Sequence, residues 1–372
     1  MNDGAVIAGG PSLSGALKRK RPLRIEIPAV LSEIPNFEES YDDPVCCFAD
    51  SGVGVYSLKG KKKFMEDSYK VFASANGDKR FFGVYDGHGG SKAAAFVAEN
   101  LHLKIFEMLE SISENKEKEA ACKAGYLKTD EEFLKQGLDS GACCVTALID
   151  GREMVVSNLG DCRAVLCMGG GSAEALTTDH RPMREEERRR IEDKGGYVEI
   201  HRGTWRVHGT LAVSRSIGDA HLKDWVMAEP DTKVVCLDPD MKYLLLASDG
   251  LWEEVSNEEA VDVVMQSCSS AKKQRIRNPS GRKMDSIRQR GSADEDGSPP
   301  AKSRRISVVK KTKTKMKTRF PENENRFLNE RGLLAACKKL ADLAVGRGSL
   351  DDITVMIIDL NHYNHESLVV AK

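Results

Sequence analysis

Long apolar runs are absent from this sequence of 372 residues. No segment approaches the roughly 18 consecutive apolar residues that a membrane-spanning helix requires. The first residues are rich in glycine and only weakly apolar ahead of the basic run at 18–21, so they lack the hydrophobic region of a signal peptide. These absences predict a protein of the cytoplasm, the nucleus or both, without a membrane partner.

Cysteine patterns that bind zinc are also absent, although the chain has ten cysteines. Two pairs are adjacent, Cys46-Cys47 and Cys143-Cys144, and no Cys-x-x-Cys or Cys/His cluster occurs. This spacing argues against a zinc module and against the disulfide framework of a small secreted domain. We therefore predict reduced thiols that are mostly buried.

Charge is distributed unevenly behind a net value of −1. Residues 271–320 contain 17 Lys or Arg and 4 Asp or Glu, so this segment carries +13 and the remainder carries −14. An acidic body suits a cation-binding site, and a basic segment suits an acidic or anionic partner. The basic segment lacks interleaved aromatic residues, so it does not predict a dedicated nucleic-acid surface.

The pattern of apolar residues predicts one domain with appendages. We expect a flexible tail at 1–45, a domain at 46–362 and a short tail at 363–372. Strands are predicted at 143–149, 153–157, 163–168 and 353–360, and the tight turns between the first three favour antiparallel pairing. Residues 269–325 are poor in apolar side chains and predict a disordered basic insertion within the domain. We expect a monomer.

Carboxylates follow three apolar, strand-like segments. Asp86-Gly87-His88 and Asp249-Gly250 each come at the end of such a segment, and Asp351-Asp352 precedes another. A single Asp-Gly pair is usually only a turn. Three such sites, together with the acidic pair Glu66-Asp67, instead favour convergent oxygen ligands for Mg²⁺ or Mn²⁺.

A pair of such ions gives this pattern a specific chemistry. Two ions about 3.5–4 Å apart generate a hydroxide at neutral pH and stabilise in-line attack on phosphorus. His88 lies in the glycine-rich turn two residues from Asp86, where it is placed to protonate the departing oxygen. The residues therefore predict a two-metal hydrolase of phosphate esters.

Six ordered motifs carry a resemblance to a known family. The chain resembles the metal-dependent Ser/Thr phosphatases of type 2C from about Gly52 to Leu360, apart from the basic insertion. The motifs are Met65-Glu66-Asp67, Val84 to Gly90, Leu159 to Arg163, Leu211 to Asp219, Ala247 to Trp252, and Ser349 to Val355.

The resemblance implies an α+β fold, with a central antiparallel β-sandwich flanked by helices on both faces. It also implies a cleft with two Mn²⁺ or Mg²⁺ ions per subunit and His88 as general acid. The implied metal residues are Asp86 as the bridge, Glu66 and the Gly87 carbonyl on one ion, Asp249 and Asp351 on the other, Asp67 acting indirectly, and Asp161 on a weaker third ion.

One position departs from the family pattern. The family usually has Arg five residues before the Asp of the Met-Glu-Asp motif, where it grips the substrate phosphate, and this chain has Lys62. Lysine keeps the charge but loses the two-pronged geometry of arginine. We expect weaker phosphate binding; the alternative is a catalytically weak pseudophosphatase that acts as a kinase-binding scaffold.

The N-terminal tail contains a second candidate site. A basic cluster is followed by alternating apolar residues, which share one side of an extended chain. The pattern resembles the docking motif of MAP kinase substrates and regulators, so the resemblance predicts MAP kinases among the phosphoprotein partners. Nuclear import and a solvated basic tail remain open readings. The residues are Lys18, Arg19, Lys20, Arg21, Leu23, Ile25 and Ile27.

Overall fold

Two antiparallel sheets form the centre of the computed structural model, which describes residues 45–50, 52–74, 77–110, 118–277 and 324–366. The first sheet has the strand order β1 (Val45–Asp50), β2 (Val53–Leu58), β14 (Ile353–Asp359), β13 (Met241–Ala247), β7 (Arg163–Met168) and β8 (Ala173–Ala175). The second has the order β12 (Asp231–Cys236), β6 (Glu153–Leu159), β5 (Gly141–Asp150), β4 (Lys79–His88) and β3 (Ser68–Ala73), with β11 (Ile217–Gly218) paired to β5.

Helices cover the outer face of each sheet. The second sheet is covered by α1 (Lys92–Glu110) and α2 (Lys118–Leu134), and the first by α5 (Asn257–Arg277) and α6 (Glu324–Arg347). The remaining described elements are short: α3 (Glu185–Asp193), the hairpin of β9 (Val198–His201) and β10 (Thr204–Val207), a 3₁₀ helix (Ala220–Leu222), α4 (Asp249–Trp252) and α7 (Leu360–Glu366). This arrangement confirms the predicted α+β sandwich with helices on both faces.

Side chains of the central strands alternate between two cores. In β4, Phe82 and Val84 lie between the sheets, whereas Phe81 and Tyr85 pack against α1 and α2. A strand places successive side chains on opposite faces, so both faces of β4 are buried. Full burial of each such apolar side chain stabilises the fold by about 1.5–3 kcal/mol. Strands buried on both faces need apolar residues throughout, which explains why the short strand segments of the sequence are apolar without alternation.

Most predicted elements are present, and α5 begins with a hydrogen-bonded cap. Ser256 and Glu259 form a capping box at the start of α5: the Glu259 N–H donates to Ser256 Oγ over 3.2 Å, and the Ser256 N–H donates to Glu259 Oε2 over 3.1 Å. The strand predicted at 163–168 matches β7 in both bounds. Several described elements were not predicted, among them α2, the edge strands β1, β3, β8 and β12, and the β9–β10 hairpin.

Element bounds differ from the prediction at three places. Helix α5 continues to Arg277, past the predicted start of the insertion at 269, because no Gly or Pro interrupts the chain before Pro279. Helix α7 extends into the predicted tail and buries Tyr363, whose ring centroid lies 5.8 Å from that of Phe82. Strand β4 continues through His88, where we predicted a turn. The rest of the predicted insertion, 278–323, lies outside the described residues.

The cysteines lie in the described part of the chain, and no disulfide joins them there. Seven of the ten are buried, as predicted, and the exposed ones are Cys46, Cys47 and Cys236. Among the described residues, no helix has both the length and the apolar character needed to cross a membrane.

Candidate metal centre

Three aspartates from different elements converge at one end of the sandwich. Asp86 lies in β4, Asp161 in the turn between β6 and β7, and Asp249 at the start of α4 directly after β13. One carboxylate oxygen from each lies within 4.8 Å of those of the other two. Asp86 comes from the second sheet and Asp249 follows a strand of the first, so the cluster bridges the two sheets.

The position of Asp86 follows from the alternation of β4. Asp86 is two residues beyond Val84 and therefore continues the face that points between the sheets. It is buried, with 8% exposure. Burial, followed by the nearby carboxylates of Asp249, Asp67 and Asp161, raises the pKa of Asp86 well above its usual range. A negative charge here is costly unless a cation accompanies it.

Glu66 and Asp67 lie in the segment that leads into β3, against the strand that carries Asp86. A Cβ on Gly87 would clash with the Glu66 carbonyl oxygen, so glycine permits the two backbones to approach. Asp67 is buried and accepts a 2.8 Å hydrogen bond from Ser248 Oγ, beside Asp249. Burial raises the pKa of Asp67 to about 7, even though hydrogen bonds from Thr354 and Ser248 oppose the shift. Its other oxygen, Oδ1, is buried with no partner in the described structure.

Asp351 and Asp352 are adjacent but have different roles. Asp352 is 1% exposed, and its two oxygens accept the backbone N–H groups of Gly60 and Glu66, each over 2.7 Å. Both oxygens are therefore engaged in holding the loop that carries Glu66. Asp351 is half-buried and faces the cluster side chains. This difference supports the choice of Asp351 as the candidate ligand.

Lys62 lies between two predicted ligands. Its ammonium is 2.5 Å from Asp351 Oδ1 and 3.2 Å from Glu66 Oε2. Partial burial alone would lower the pKa of Lys62, but Asp351, Asp86 and Glu66 outweigh burial and raise it. The lysine is therefore a fixed positive charge at this edge of the cluster.

His88 has a carboxylate partner that we did not predict. His88 Nε2 lies 2.7 Å from Asp219 Oδ2, and Ser216 Oγ donates to the same oxygen over 2.5 Å. Burial would raise the pKa of Asp219, but the interactions with His88 and Ser216 outweigh it and lower this pKa. Gly141 leaves room for the pair, because a Cβ there would clash with both side chains. Asp219 is the last residue of the motif from Leu211 to Asp219, but only the structure shows that its carboxylate contacts His88.

Arg181 was also missed by the sequence reasoning. Its guanidinium lies 3.1 Å from Asp161 Oδ2 and 3.4 Å from Asp249 Oδ2. It also contacts Glu253, so one basic side chain joins three carboxylates. Asp161 is buried, and burial raises its pKa, although Arg181 opposes this effect.

The donor set fits hard divalent cations. It consists of carboxylate oxygens, which Mg²⁺ and Mn²⁺ prefer. One of these oxygens, Asp67 Oδ1, is buried and has no hydrogen-bond partner among the described residues. Burial first, and then the charge of neighbouring carboxylates, raises the pKa of Asp67, Asp86 and Asp249, and bound cations would relieve both effects. The residues gathered here can therefore hold Mg²⁺ or Mn²⁺.

Comparison with known proteins decides the family. The profile of protein phosphatase 2C matches residues 51–296. The chain belongs to the protein phosphatase 2C family. The probable protein phosphatase 2C 14 of Arabidopsis thaliana is 51% identical over 85% of this chain and 74% of its own length. The probable protein phosphatase 2C 2 of the same plant is 42% identical over 93% of this chain and 78% of its own.

Solved structures of low sequence identity share the fold. A serine-threonine phosphatase 2C from Toxoplasma gondii has a TM-score of 0.59 at 22% identity, covering 85% of this chain and 99% of its own. A sex-determining protein of C. elegans has a TM-score of 0.62 at 20% identity, covering 85% of this chain and 67% of its own. Family membership makes this chain a metal-dependent protein Ser/Thr phosphatase.

The structure brings the predicted site residues together in two overlapping groups. Asp86, Asp161 and Asp249 form one, and Lys62, Glu66 and Asp351 form the other. Asp67 reaches the first group through its hydrogen bond with Ser248, the neighbour of Asp249. The backbone of Gly87 lies against the carbonyl of Glu66, a member of the second group. The predicted docking residues in 18–27 lie outside the described part of the chain.

Proposed function

We propose that this phosphatase hydrolyses phosphoserine and phosphothreonine in proteins with two Mn²⁺ or Mg²⁺ ions. Asp86 would contact both ions because it lies close enough to four other carboxylates to feel their charge: Asp67, Asp161, Asp249 and Asp351. The observation that carries the proposal is the convergence of Asp86 with Asp249 at the end of the sandwich. The proposed set on either side of Asp86 is Glu66 and the Gly87 carbonyl for one ion, and Asp249 and Asp351 for the other, with Asp67 nearby.

The ions and the protein would have separate tasks. When bound, two such ions activate water and neutralise charge on the phosphate oxygens. Asp352 holds the backbone of Glu66 through a 2.7 Å hydrogen bond, and Ser248 orients Asp67. These contacts fix the carboxylates before substrate arrives, which reduces the reorganisation needed for reaction.

His88 is proposed as the general acid for the departing Ser or Thr oxygen. A leaving alkoxide needs a proton, and a positioned histidine can supply it. Asp219 contacts Nε2, so it holds the orientation of the imidazole ring. We assign Asp219 as a positioning residue, since its partner is His88.

Lys62 is proposed to bind the substrate phosphate. Its ion pairs with Glu66 and Asp351 place the ammonium beside the proposed ions. The same pairs favour the alternative of a weak pseudophosphatase, because the lysine must leave two carboxylates that metal ions also need. The proposed ligands are otherwise gathered, so we favour catalysis with weakened phosphate binding.

A peptide assay separates these two functions. The measurement is phosphate release from a phosphothreonine peptide with Mn²⁺ or with EDTA, for the full chain and for Lys62→Arg. We expect Mn²⁺-dependent hydrolysis by both proteins and a lower KM for Lys62→Arg. No hydrolysis by the natural chain, together with activity of Lys62→Arg, would establish the pseudophosphatase alternative instead.

MAP kinases are the proposed substrates, acting in the cytoplasm or nucleus. The support is the sequence of residues 18–27, where the basic cluster would meet an acidic patch and Leu23, Ile25 and Ile27 would enter an apolar groove. Replacing these three residues with Ala should weaken binding to a MAP kinase at least about tenfold while leaving peptide hydrolysis intact.

The control replaces Leu13, Val30 and Leu31 with Ala, which changes apolar tail residues outside the motif. Binding of the kinase should then be unchanged. Equal binding by the natural chain and the motif variant would remove the docking assignment, whatever the catalytic result.

A further inference from the structure

Arg181 lies among three carboxylates at the edge of the aspartate cluster. The sequence analysis assigned Asp161 to a weaker third metal ion. In the structure, however, Arg181 Nη2 is 3.1 Å from Asp161 Oδ2 and 3.4 Å from Asp249 Oδ2. Both terminal nitrogens of Arg181 also donate to Glu253 Oε1, each over 3.1 Å. The three carboxylates that surround this point already share a positive group.

The two residues before Arg181 fix its position. Asp179 accepts two hydrogen bonds from Arg163, over 3.0 and 2.8 Å. His180 is fully buried and contacts the loop that carries Asp161: its Nδ1 accepts from the Gly160 N–H over 3.2 Å, and its backbone N–H donates to the Gly160 carbonyl over 2.8 Å. The guanidinium is therefore held against Asp161 by its own backbone.

A guanidinium differs from a metal ion in two ways that matter here. It carries a charge that does not titrate in proteins, and it is covalently attached, so it does not dissociate into solution. A divalent ion that used Asp161 and Glu253 would have to displace it. Arg181 and a third ion therefore compete for the same oxygens.

We propose that Arg181 is a built-in cation that occupies the third position and limits this phosphatase to two tightly bound divalent ions. The inference rests on the proposed two-ion centre and adds a determinant of its metal stoichiometry. Asp249 would then serve an ion on one side and Arg181 on the other, whereas Asp161 and Glu253 would serve Arg181.

The test counts bound Mn²⁺ rather than activity. EDTA-treated full-length protein is titrated with Mn²⁺, and the free ion is measured by its paramagnetic resonance signal. The natural chain should bind two ions tightly and a third only weakly. In Arg181→Gln, the dissociation constant of the third ion should fall at least about tenfold, because the variant leaves buried carboxylates without their cation.

Two further variants define the site. Arg184→Gln is the matched control, because Arg184 has similar side-chain exposure, 29% against 25%, and pairs with Glu186 and the Asp179 carbonyl instead of the cluster. It should bind as the natural chain does. Adding Asp161→Asn to Arg181→Gln should weaken the third ion again, and this reversal would place that ion at Asp161.

The possible results separate the inference from the function on which it rests. Three tight ions in the natural chain, or an unchanged third constant in Arg181→Gln with two tight ions retained, would overturn only the role of Arg181. No tight ion in the natural chain would overturn the two-ion centre itself. If Arg181→Gln does not fold, Arg181→Met decides: it removes the charge but keeps a long, unbranched side chain, and a third ion no tighter than in the natural chain would overturn the proposal.

Discussion

The two flanks of the carboxylate cluster are both neutralised by the chain itself, but in different ways. On one flank, Lys62 contacts Glu66 and Asp351, which are both proposed metal ligands. On the other, Arg181 contacts Asp161 and Glu253 as well as Asp249. Metal binding at the proposed ligands would therefore displace Lys62 from both of its partners, whereas Arg181 would keep all three and share only Asp249 with an ion. Lys62 would therefore neutralise its carboxylates only before metal binds, whereas Arg181 would stay paired with its carboxylates in the metal-bound enzyme.

The largest effect is expected from removing the carboxylate of Asp86, which lies between the two flanks. Asp86→Asn should lower kcat at least about a thousandfold, because it removes the proposed contact to both ions. The same change removes a crowded charge, so the EDTA-treated variant should unfold at a higher temperature than the natural chain. Thermal unfolding by circular dichroism and peptide hydrolysis measure the two effects. Lower stability without metal would contradict the crowding argument.

Changing the partner of His88 tests a site outside both flanks. Asp219→Asn should lower kcat by about 10- to 100-fold with little change in KM, and it should alter the pH profile of kcat. Asp130→Asn is the control, since Asp130 bonds the Gly218 N–H and Lys223 instead of His88. Equal pH profiles for the natural chain and Asp219→Asn would argue for a purely structural role.

On the Lys62 flank, the adjacent residues Asp351 and Asp352 should respond differently to replacement by Asn. Asp352→Asn should lower the free energy of unfolding by about 1.5–3 kcal/mol, because one of two backbone N–H groups would face an amide donor instead of a carboxylate oxygen. Asp351→Asn should instead weaken Mn²⁺ binding and leave metal-free stability nearly unchanged. Chemical denaturation in EDTA and Mn²⁺ titration separate the two. The reverse pattern would exchange the roles assigned to these residues.

The smallest expected effect concerns pH. The Asp67 carboxyl has a pKa near 3.8 in the unfolded chain and about 7 in the fold, so the folded state binds more protons between these values. Its stability without metal must therefore fall as pH rises through this window. The stability advantage of Asp67→Asn over the natural chain in EDTA should grow by about 1–2 kcal/mol from pH 4 to 7.5. If the stability advantage of Asp67→Asn did not change with pH, the pKa of Asp67 would not be raised in the folded chain.

Much of the candidate site could be predicted because its acidic residues are next to strand signals. Asp86, Asp249 and Asp351 each adjoin a strongly apolar segment, so local pattern was enough to group them. The bounds of β4 were harder to predict, since Gly87 and His88 resemble a turn. In the structure they pair with Ala142 and Gly141 of β5, and that register depends on distant residues.

The supporting residues could not be predicted from local pattern. Asp219 is separated from His88 by 131 positions, and Asp352 from Glu66 by 286. An acidic residue that holds a backbone or a histidine has the same local sequence as one at an ordinary turn. Arg181 was hidden for a similar reason, because an arginine among charged residues usually lies in solvent.

The place of β14 has a consequence for how the protein is made. This strand lies between β2 and β13, and its pairing of Val355 with Ala247 brings Asp351 toward Asp249. During synthesis, the first sheet therefore has a gap in its middle until the last strand has left the ribosome. Because Asp351 lies just before β14, a chain truncated ahead of this residue would lack a proposed ligand as well as a central strand of the sheet.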